Sequence, residues 1–381
     1  MKKITFCHAI VFFAVICVFG GMSYFSYVQK IFSGKVFSNY ESANTFKNKI
    51  EEKFYGYIPF KMQLVDLNGL FHKIFLHREM NGIVKLNNGY LTVVNSDYNV
   101  QVLSDSSNSI IAFNDYCKKN DVVFLYAQTA YKISKFDPQL PVGVNDVRNQ
   151  AIDAMIENLK KADVNVLDLR ECMHEDGINQ YDLYYKTDHH WTNEGAFYGY
   201  TKIAPMVAYL TGTFLDTSLL DFENYNIETY RKWHLGSRGQ RTGLLFASAD
   251  DYNLISPKFE TRIFDSSDNS VQSLKEALVR KSVFENRNAA SRYTYDNAYT
   301  NRNINNLTSL DAKTDLNVLL LSDSFQQGIK QFMLLTYKDF NIDSYWNLSP
   351  ELIAKYNPDV IIMLPFGGNI TGQINFTSSG E

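Results

Sequence analysis

The chain has 381 residues, with 41 Asp and Glu side chains against 37 Lys and Arg, and a formal net charge of -4 at pH 7. These charges are interspersed, so the chain lacks the basic surface that binding to nucleic acid requires, and we expect no nucleic-acid partner. The length fits one large domain with an insertion, or two domains, and is ample for a buried core.

The first thirty residues carry the pattern of a membrane-targeting segment. Lys2 and Lys3 precede an apolar run, Ile4–Val28. Roughly 25 residues of helix would measure ~37 Å, enough to cross a ~30 Å hydrocarbon core. The two lysines favour an N-terminus inside and the remainder outside. A cleaved signal peptide shares this start, but the run is long and no Ala-x-Ala site precedes Lys30. We therefore favour a single-pass anchor in the cell membrane with an extracytoplasmic domain.

Beyond this segment the sequence alternates between short apolar strands and amphipathic helices. Continuous apolar runs, typical of strands that are buried on both faces, occur at Asp121–Ala127, Val164–Leu169, Asn317–Leu321, Ile342–Trp346 and Asp359–Phe366. Helical patterns lie at Ser107–Lys119, Asn145–Ala162, Asn193–Leu210, Gln326–Lys338 and Pro350–Tyr356. This alternation predicts an α/β fold with a parallel sheet, whose active site lies beyond the carboxyl ends of the strands.

From about residue 213 to residue 314 the sequence departs from this alternation. It becomes polar and irregular, with clusters such as DSSDNS and NRNINN, and this composition is typical of loops. We interpret residues 58–381 as one folded domain that this insertion interrupts. A stem of residues 31–57 would join the domain to the anchor, or signal peptide, of residues 1–30.

The segment YYKTDHHWTNEGAF, Tyr184–Phe197, is the most informative. Asp188 and His190 stand two apart, just before a helix start at Thr192 or Asn193. A carboxylate beside an imidazole fixes the tautomer of the ring and stabilises the imidazolium that forms during proton transfer. The pair therefore fits a catalytic base and the residue that orients it, and a plain exposed turn is the structural alternative.

A metal site is the second alternative for this segment, with His189, His190 and Glu194 as ligands. Two successive histidines point in different directions, which makes joint ligation of one ion awkward, so we predict no metal and no cofactor. If Asp188 and His190 act together in proton transfer, His189 should point away from them, toward packing or solvent.

A second segment, LLLSDSFQQG, runs from Leu319 to Gly328. An apolar strand ends there, Asp323 and Ser324 follow, and an apolar-periodic helix begins with Phe325. A serine on such a turn presents its hydroxyl at the carboxyl edge of the sheet, and its backbone N–H points toward any oxyanion that forms. Alone, the pattern also fits an ordinary N-cap serine. Together with Asp-x-His on the same edge, it indicates a nucleophile and its base.

Two weaker elements complete the candidate site. A glycine turn that carries Asn369 follows the last strand pattern, so Asn369 is either a second oxyanion donor or part of a plain turn. Arg238 and Arg241 lie in the insertion, where they are either surface residues of a loop-rich lid or contacts to a substrate.

The order of these motifs resembles the DHHW protein family, which is related to the alginate O-acetylation proteins AlgJ and AlgX of the SGNH hydrolase superfamily. The motifs are YYKTDHHWT, a long insertion and SDSF, and the resemblance spans most of Asn81–Asn369, including NGIVKLNNGYLTVV at Asn81–Val94. It implies a three-layer SGNH hydrolase-like α/β domain with the permuted motif order of the alginate branch. Ser322 stands where the superfamily has the glycine of Gly-Asp-Ser.

The same resemblance implies a role for each site residue. Ser324 would be the nucleophile, His190 the base and Asp188 the residue that orients it, while the N–H of Ser324 and the amide of Asn369 would hold the oxyanion. The implied activity is transfer of an acyl group, as O-acetyl, to an extracytoplasmic polysaccharide, with a multi-pass membrane acyltransferase as donor partner. A carbohydrate acetylesterase and a catalytically silent scaffold that binds glycan or a partner are the alternatives.

Overall fold

The computed structural model of the chain describes residues 17, 18, 21, 60–285, 295–299, 302–369 and 373–376. The predicted stem lies outside the described residues, as does the predicted anchor apart from three positions. Across the described part of the chain, no helix is both long and apolar enough to cross a membrane.

The strands are β1 (Glu79–Met80), β2 (Ile83–Lys85), β3 (Leu91–Thr92), β4 (Val123–Gln128), β5 (Asn165–Asp168), β6 (Tyr225–His234), β7 (Asp250–Pro257), β8 (Ile263–Asp265), β9 (Ser270–Gln272), β10 (Leu307–Ser309), β11 (Thr314–Ser322), β12 (Tyr337–Asp343) and β13 (Val360–Leu364). The α-helices are α1 (Lys61–Ile74), α2 (Val100–Lys119), α3 (Arg148–Lys161), α4 (Leu169–Glu175), α5 (Asn193–Thr211), α6 (Ser237–Thr242), α7 (Leu244–Ala247), α8 (Leu274–Leu278), α9 (Lys281–Glu285), α10 (Gln326–Thr336) and α11 (Pro350–Tyr356).

Five strands form the central sheet, in the order β12, β11, β13, β4 and β5, and every neighbouring pair is parallel. The middle strand β13 is buried at every residue, as its continuous apolar run predicts. Helices α2 and α3 pack against each other, and α5 packs against α10. The predicted α/β fold with a parallel sheet is thus confirmed, and the carboxyl ends of the strands lie along one edge of that sheet.

One predicted strand is wrong in its position. The prediction placed it at Ile342–Trp346, whereas the strand is Tyr337–Asp343 and a 3₁₀ turn occupies Tyr345–Asn347. This strand starts directly after α10 with no loop between them. Its two fully buried side chains, Tyr337 and Phe340, stand three apart. This is the spacing of buried residues in a helix, so the start of the strand reads in the sequence as a continuation of α10.

The segment at about 213–314, between α5 and β11, contains antiparallel structure. Strands β6 and β7 form a pair, and β10, β8 and β9 form a small sheet in that order. Helices α6 and α7 lie between β6 and β7 in the chain and pack on α1. The division of the chain into anchor, stem and interrupted domain stays a prediction.

Candidate active site

The turn that carries Asp188 and His190 is fixed at the start of α5. The Thr192 hydroxyl caps this helix by accepting from a backbone N–H of its first turn. Trp191 also fixes the turn: it is fully buried and donates its indole N–H to the backbone carbonyl of Phe325 at 3.2 Å. A local cap and one large buried ring therefore tie the Asp-x-His turn to the segment that follows β11.

Ser324 lies on the turn between β11 and α10, and Asp323 holds that turn. The Oδ1 of Asp323 accepts from the backbone N–H of Phe325 at 3.0 Å. Its Oδ2 accepts from the Tyr345 hydroxyl at 2.9 Å and from the N–H of Phe366 at 3.1 Å. Because Phe366 follows β13, this carboxylate joins the ends of two neighbouring strands and keeps Ser324 at the carboxyl edge of the sheet.

The structure brings together the three residues predicted as a triad. The Nε2 of His190 lies 2.6 Å from the Oγ of Ser324, and its Nδ1 lies 2.7 Å from the Oδ1 of Asp188. Asp188 and His190 are buried, and the His190 ring stacks on Tyr295 with 4.3 Å between centroids. Because Nδ1 donates to the carboxylate, a neutral ring presents Nε2 as the acceptor for the serine hydroxyl.

The Asp188 carboxylate is surrounded by hydrogen-bond donors. Its Oδ1 also accepts from the backbone N–H groups of His189 and His190, at 2.7 and 3.2 Å, and its Oδ2 accepts from that of Ser237 at 2.7 Å. Burial acts to raise the pKa of Asp188, but the charge of His190 and the hydrogen bonds from both histidines hold it well below its ordinary value. Asp188 therefore stays ionised, which is the state that orients His190.

The expectation that His189 points away from the triad is wrong. Its Nδ1 lies 3.0 Å from the Oδ1 of Asp188 and 3.1 Å from the hydroxyl of Ser237. Its ring is 5.1 Å from that of Phe366, and 24% of the side chain is exposed. Burial lowers the pKa of His189, and the neighbouring charge of His190 lowers it further. His189 thus packs as a neutral imidazole against His190, with 3.9 Å between the two ring centres.

Lys132 is a buried residue at the site that the sequence reasoning missed. Its Nζ donates to the backbone carbonyl of Asp188 at 2.7 Å and lies 4.8 Å from the centre of the Tyr90 ring. Burial lowers the pKa of Lys132 to about 7, against the opposing charges of Asp250 and Asp188. A single lysine in the stretch TAYKIS gives no sequence signal of this contact, because it depends on residues far along the chain.

Asn369, the candidate second oxyanion donor, is engaged by other groups. Its Nδ2 lies 3.1 Å from the Oδ2 of Asp323 and 3.3 Å from the Tyr345 hydroxyl. The amide thus belongs to the same polar cluster that holds the turn of Ser324. Its role as a donor to the oxyanion stays a prediction.

The two arginines predicted as substrate contacts differ in their surroundings. Arg241 is exposed at its guanidinium, which donates to the backbone carbonyl of Asn81 at 2.6 Å, so in this structure it joins α6 to the turn between β1 and β2. Arg238 is half-buried and donates its backbone N–H to the carbonyl of Thr187, the neighbour of Asp188, at 3.0 Å, and burial is the main influence that lowers its pKa. Arg238 therefore lies at the site, and Arg241 has a structural contact.

Three residues of the site offer ligand atoms that could converge on a metal ion. These are Asp188, His189 and His190, whose ligand atoms lie within 4.8 Å of one another. Glu194, a ligand in the alternative drawn from the sequence, instead accepts from the side-chain amide of Asn253. The Oδ1 of Asp188 already accepts from the Nδ1 of His190, so the observed contacts fit proton transfer better than an open set of ligands.

The comparison with known proteins agrees with this geometry. Residues 137–229 match the family model of the SGNH hydrolase-like domain of the acetyltransferase AlgX. The resemblance drawn from the motifs is confirmed for this stretch, which contains Asp188 and His190 and ends before Ser324. Among curated proteins, no sequence matches this chain.

Several solved structures are similar to this chain over a longer stretch. Bacillus cereus PatB1 is 21% identical, with a TM-score of 0.60, over 77% of this chain and 98% of its own. A DHHW family protein from Eubacterium siraeum is 14% identical, with a TM-score of 0.52, over 77% of this chain and 93% of its own. The O-acetyltransferase domain of Pseudomonas putida AlgJ is 13% identical, with a TM-score of 0.45, over 77% of this chain and 94% of its own. The first two similarities show a shared fold and nothing further, while the SGNH-like description of this α/β fold comes from the family model.

Proposed function

We propose that this protein is a serine-dependent O-acetyltransferase that modifies an extracytoplasmic polysaccharide through an acyl-serine intermediate. Ser324 is the nucleophile, His190 is the base and Asp188 orients the base. The observation that carries the proposal is the unbroken chain of hydrogen bonds from Asp188 through His190 to Ser324, at 2.7 and 2.6 Å. The match of residues 137–229 to an acetyltransferase domain supports acetyl as the transferred group.

The first half-reaction forms the acyl-serine. The Oγ of Ser324 attacks the carbonyl carbon of the acyl donor while the Nε2 of His190 takes the hydroxyl proton. The tetrahedral intermediate then collapses, the bond to the donor oxygen breaks, and His190 returns the proton to that leaving oxygen. Asp188 remains ionised throughout and stabilises the imidazolium.

The second half-reaction moves the acyl group to the acceptor. A sugar hydroxyl gives its proton to His190 and attacks the acyl carbon, and the released Ser324 oxygen takes the proton back. Water in place of the sugar would give hydrolysis with the same residues, so the exclusion of water separates a transferase from an esterase.

The oxyanion is stabilised by the backbone N–H of Ser324. In the described part of the chain this N–H donates to no protein acceptor. It lies two residues before the first residue of α10, at the helix end where the dipole favours negative charge. The loss of one such donor typically costs ~3 kcal/mol of transition-state stabilisation. Asn369 would be the second donor if one of its N–H groups turned from Asp323 toward the acyl oxygen.

The proposed location is the outer face of the cell membrane, with Ile4–Val28 as the single-pass anchor. Soluble acetyl donors such as acetyl-CoA are not available there, so a multi-pass membrane acyltransferase would supply the acetyl group. A protease added to intact cells should remove a tag from the C-terminus. A tag that stays protected until the membrane is lysed would place Ser324 in the cytoplasm, and the polysaccharide proposal would then fail.

The activity test uses the full chain with 4-nitrophenyl acetate as donor and a panel of neutral and N-acetylated oligosaccharides as acceptors. Mass spectrometry should show an oligosaccharide that gains an acetyl group, and Ser324→Ala should abolish this gain. Free acetate alone, with every acceptor present, would indicate a carbohydrate acetylesterase. The absence of any Ser324-dependent product would favour a silent scaffold.

A further inference from the structure

Helix α1 carries an apolar stripe on its solvent side. Residues 60, 64, 67, 71, 74 and 75 follow the spacing of one helical face. Their side chains are all exposed: Phe60 (58%), Leu64 (42%), Leu67 (63%), Phe71 (51%), Ile74 (65%) and Phe75 (59%). Scattered apolar residues on a surface are ordinary, whereas a contiguous stripe of this kind marks an interaction site.

The opposite face of α1 is already packed. Gly69 is buried against Phe246 and the backbone of Thr242, so closely that a Cβ at this position would lie 2.4 Å from the Thr242 carbonyl oxygen. On the same side, the carboxylate of Asp66 accepts from the backbone N–H of Leu244 at 2.6 Å. The helix is therefore fixed on α6 and α7, and its apolar stripe necessarily faces outward.

Basic residues accompany the stripe. Residues 60–85 contain four Lys and Arg side chains and two carboxylates, and one of those carboxylates, Asp66, is engaged on the packed face. Burial lowers the pKa of Lys85, and the nearby charges of Lys73 and Arg78 lower it further. Lys73 lies in the last turn of the helix and Arg78 follows it in the chain, so this end of α1 favours a negatively charged partner.

We infer that α1 docks on a lipid bilayer that contains anionic headgroups. The stripe enters the boundary of the acyl chains, and the cations at its end contact the headgroups. The apolar run Ile4–Val28 is long enough to span a membrane, and residues 29–59 connect it to this helix. A membrane-spanning segment at this distance in the chain would tether α1 to the bilayer. A second copy of the chain would bring the same cations to the interface and is disfavoured by charge.

Docking through α1 would set the position of the candidate active site. Helix α1 packs on α6, whose first residue, Ser237, donates its backbone N–H to Asp188. The edge of the sheet that carries Ser324 would then lie near the lipid surface, within reach of a donor held in the membrane. The docking itself is independent of whether Ser324 transfers an acetyl group.

The test measures the depth of single introduced tryptophans in the full chain, reconstituted in vesicles of phosphatidylcholine and phosphatidylglycerol. Phe71→Trp and Leu64→Trp report on the stripe, and Tyr209→Trp, on an 81% exposed position of α5, is the matched control. Difference fluorescence against the parent removes the signal of the three native tryptophans. Equal melting temperatures of variants and parent establish that the fold is kept.

Lipids brominated on their acyl chains should quench the introduced indole of Phe71→Trp and of Leu64→Trp at least twofold more than that of the control. Omission of phosphatidylglycerol should reduce this difference. Equal quenching in all three variants would overturn the inference. Emission from positions 64 and 71 that shifts to the blue without bromolipid quenching would also overturn it, because a protein surface would then cover the stripe.

Discussion

The carboxylate of Asp188 accepts a hydrogen bond from the backbone N–H of Ser237, with 2.7 Å between Oδ2 and N. The two residues are 49 apart in the chain, so this contact joins the turn before α5 to the start of α6. It depends on Gly236, because a Cβ there would lie 2.3 Å from the Oδ2 of Asp188. The insertion thus helps to hold the carboxylate that orients His190.

Gly236→Ala should displace this carboxylate and reduce turnover of 4-nitrophenyl acetate by about tenfold or more, since a small misplacement of the catalytic groups is costly. Ser237→Ala keeps the backbone N–H and should retain most of the activity, so it is the matched control. Initial rates and melting temperatures of both variants provide the measurement. Full activity in Gly236→Ala would show that the close approach to Asp188 is not required.

The two adjacent histidines should differ in their effect on the rate. His190→Ala should remove most activity, and the double variant with Ser324→Ala should lose little more, because residues that act as a unit are not additive. His189→Ala should retain much more, since its Nδ1 contacts Asp188 and Ser237 rather than the nucleophile. Equal losses from the two histidine variants would contradict the assignment of the base.

Lys132 should make stability depend on pH in the alkaline range. Its pKa is lowered to about 7 by burial, so between pH 7 and about 10.4 the unfolded chain binds a proton that the folded chain has released. Over this range the free energy of unfolding of the parent, relative to Lys132→Met, should rise by at most ~1.4 kcal/mol per pH unit. Urea unfolding of both proteins measures this difference. A difference that stays constant with pH would show that burial does not lower the pKa of Lys132.

Asp188 should make stability depend on pH in the acid range, where stability again rises as the pH rises. Its folded-state pKa lies well below the ordinary value, so the stabilisation from its ionised form is complete above about pH 4 and is lost as the pH falls further. The stability of the parent minus that of Asp188→Asn should therefore be level from pH 5 to 7 and should shrink below pH 4. A difference that grows on acidification would mean that the carboxyl is protonated in the folded state.

The residues at the centre of the site could be predicted because their placement is local. Asp188 and His190 are two apart, Ser324 follows a strand, and parallel strands bring their ends to one edge. The contacts of Lys132 and Ser237 with Asp188 span 56 and 49 residues, and no short pattern encodes them. Sequence reasoning therefore found the hydrogen-bonded line from Asp188 through His190 to Ser324, but not the groups that hold it.

The acyl-serine is the most direct test of the central claim. The full chain is mixed with 4-nitrophenyl acetate, quenched in acid within one turnover, digested and analysed by mass spectrometry. We expect one acetyl group on the peptide that contains Ser324, its disappearance when an acceptor is added before the quench, and no such adduct in Ser324→Ala. An acetyl group found only on a residue other than Ser324 would contradict the account. Turnover by Ser324→Ala at the rate of the parent would contradict it as well.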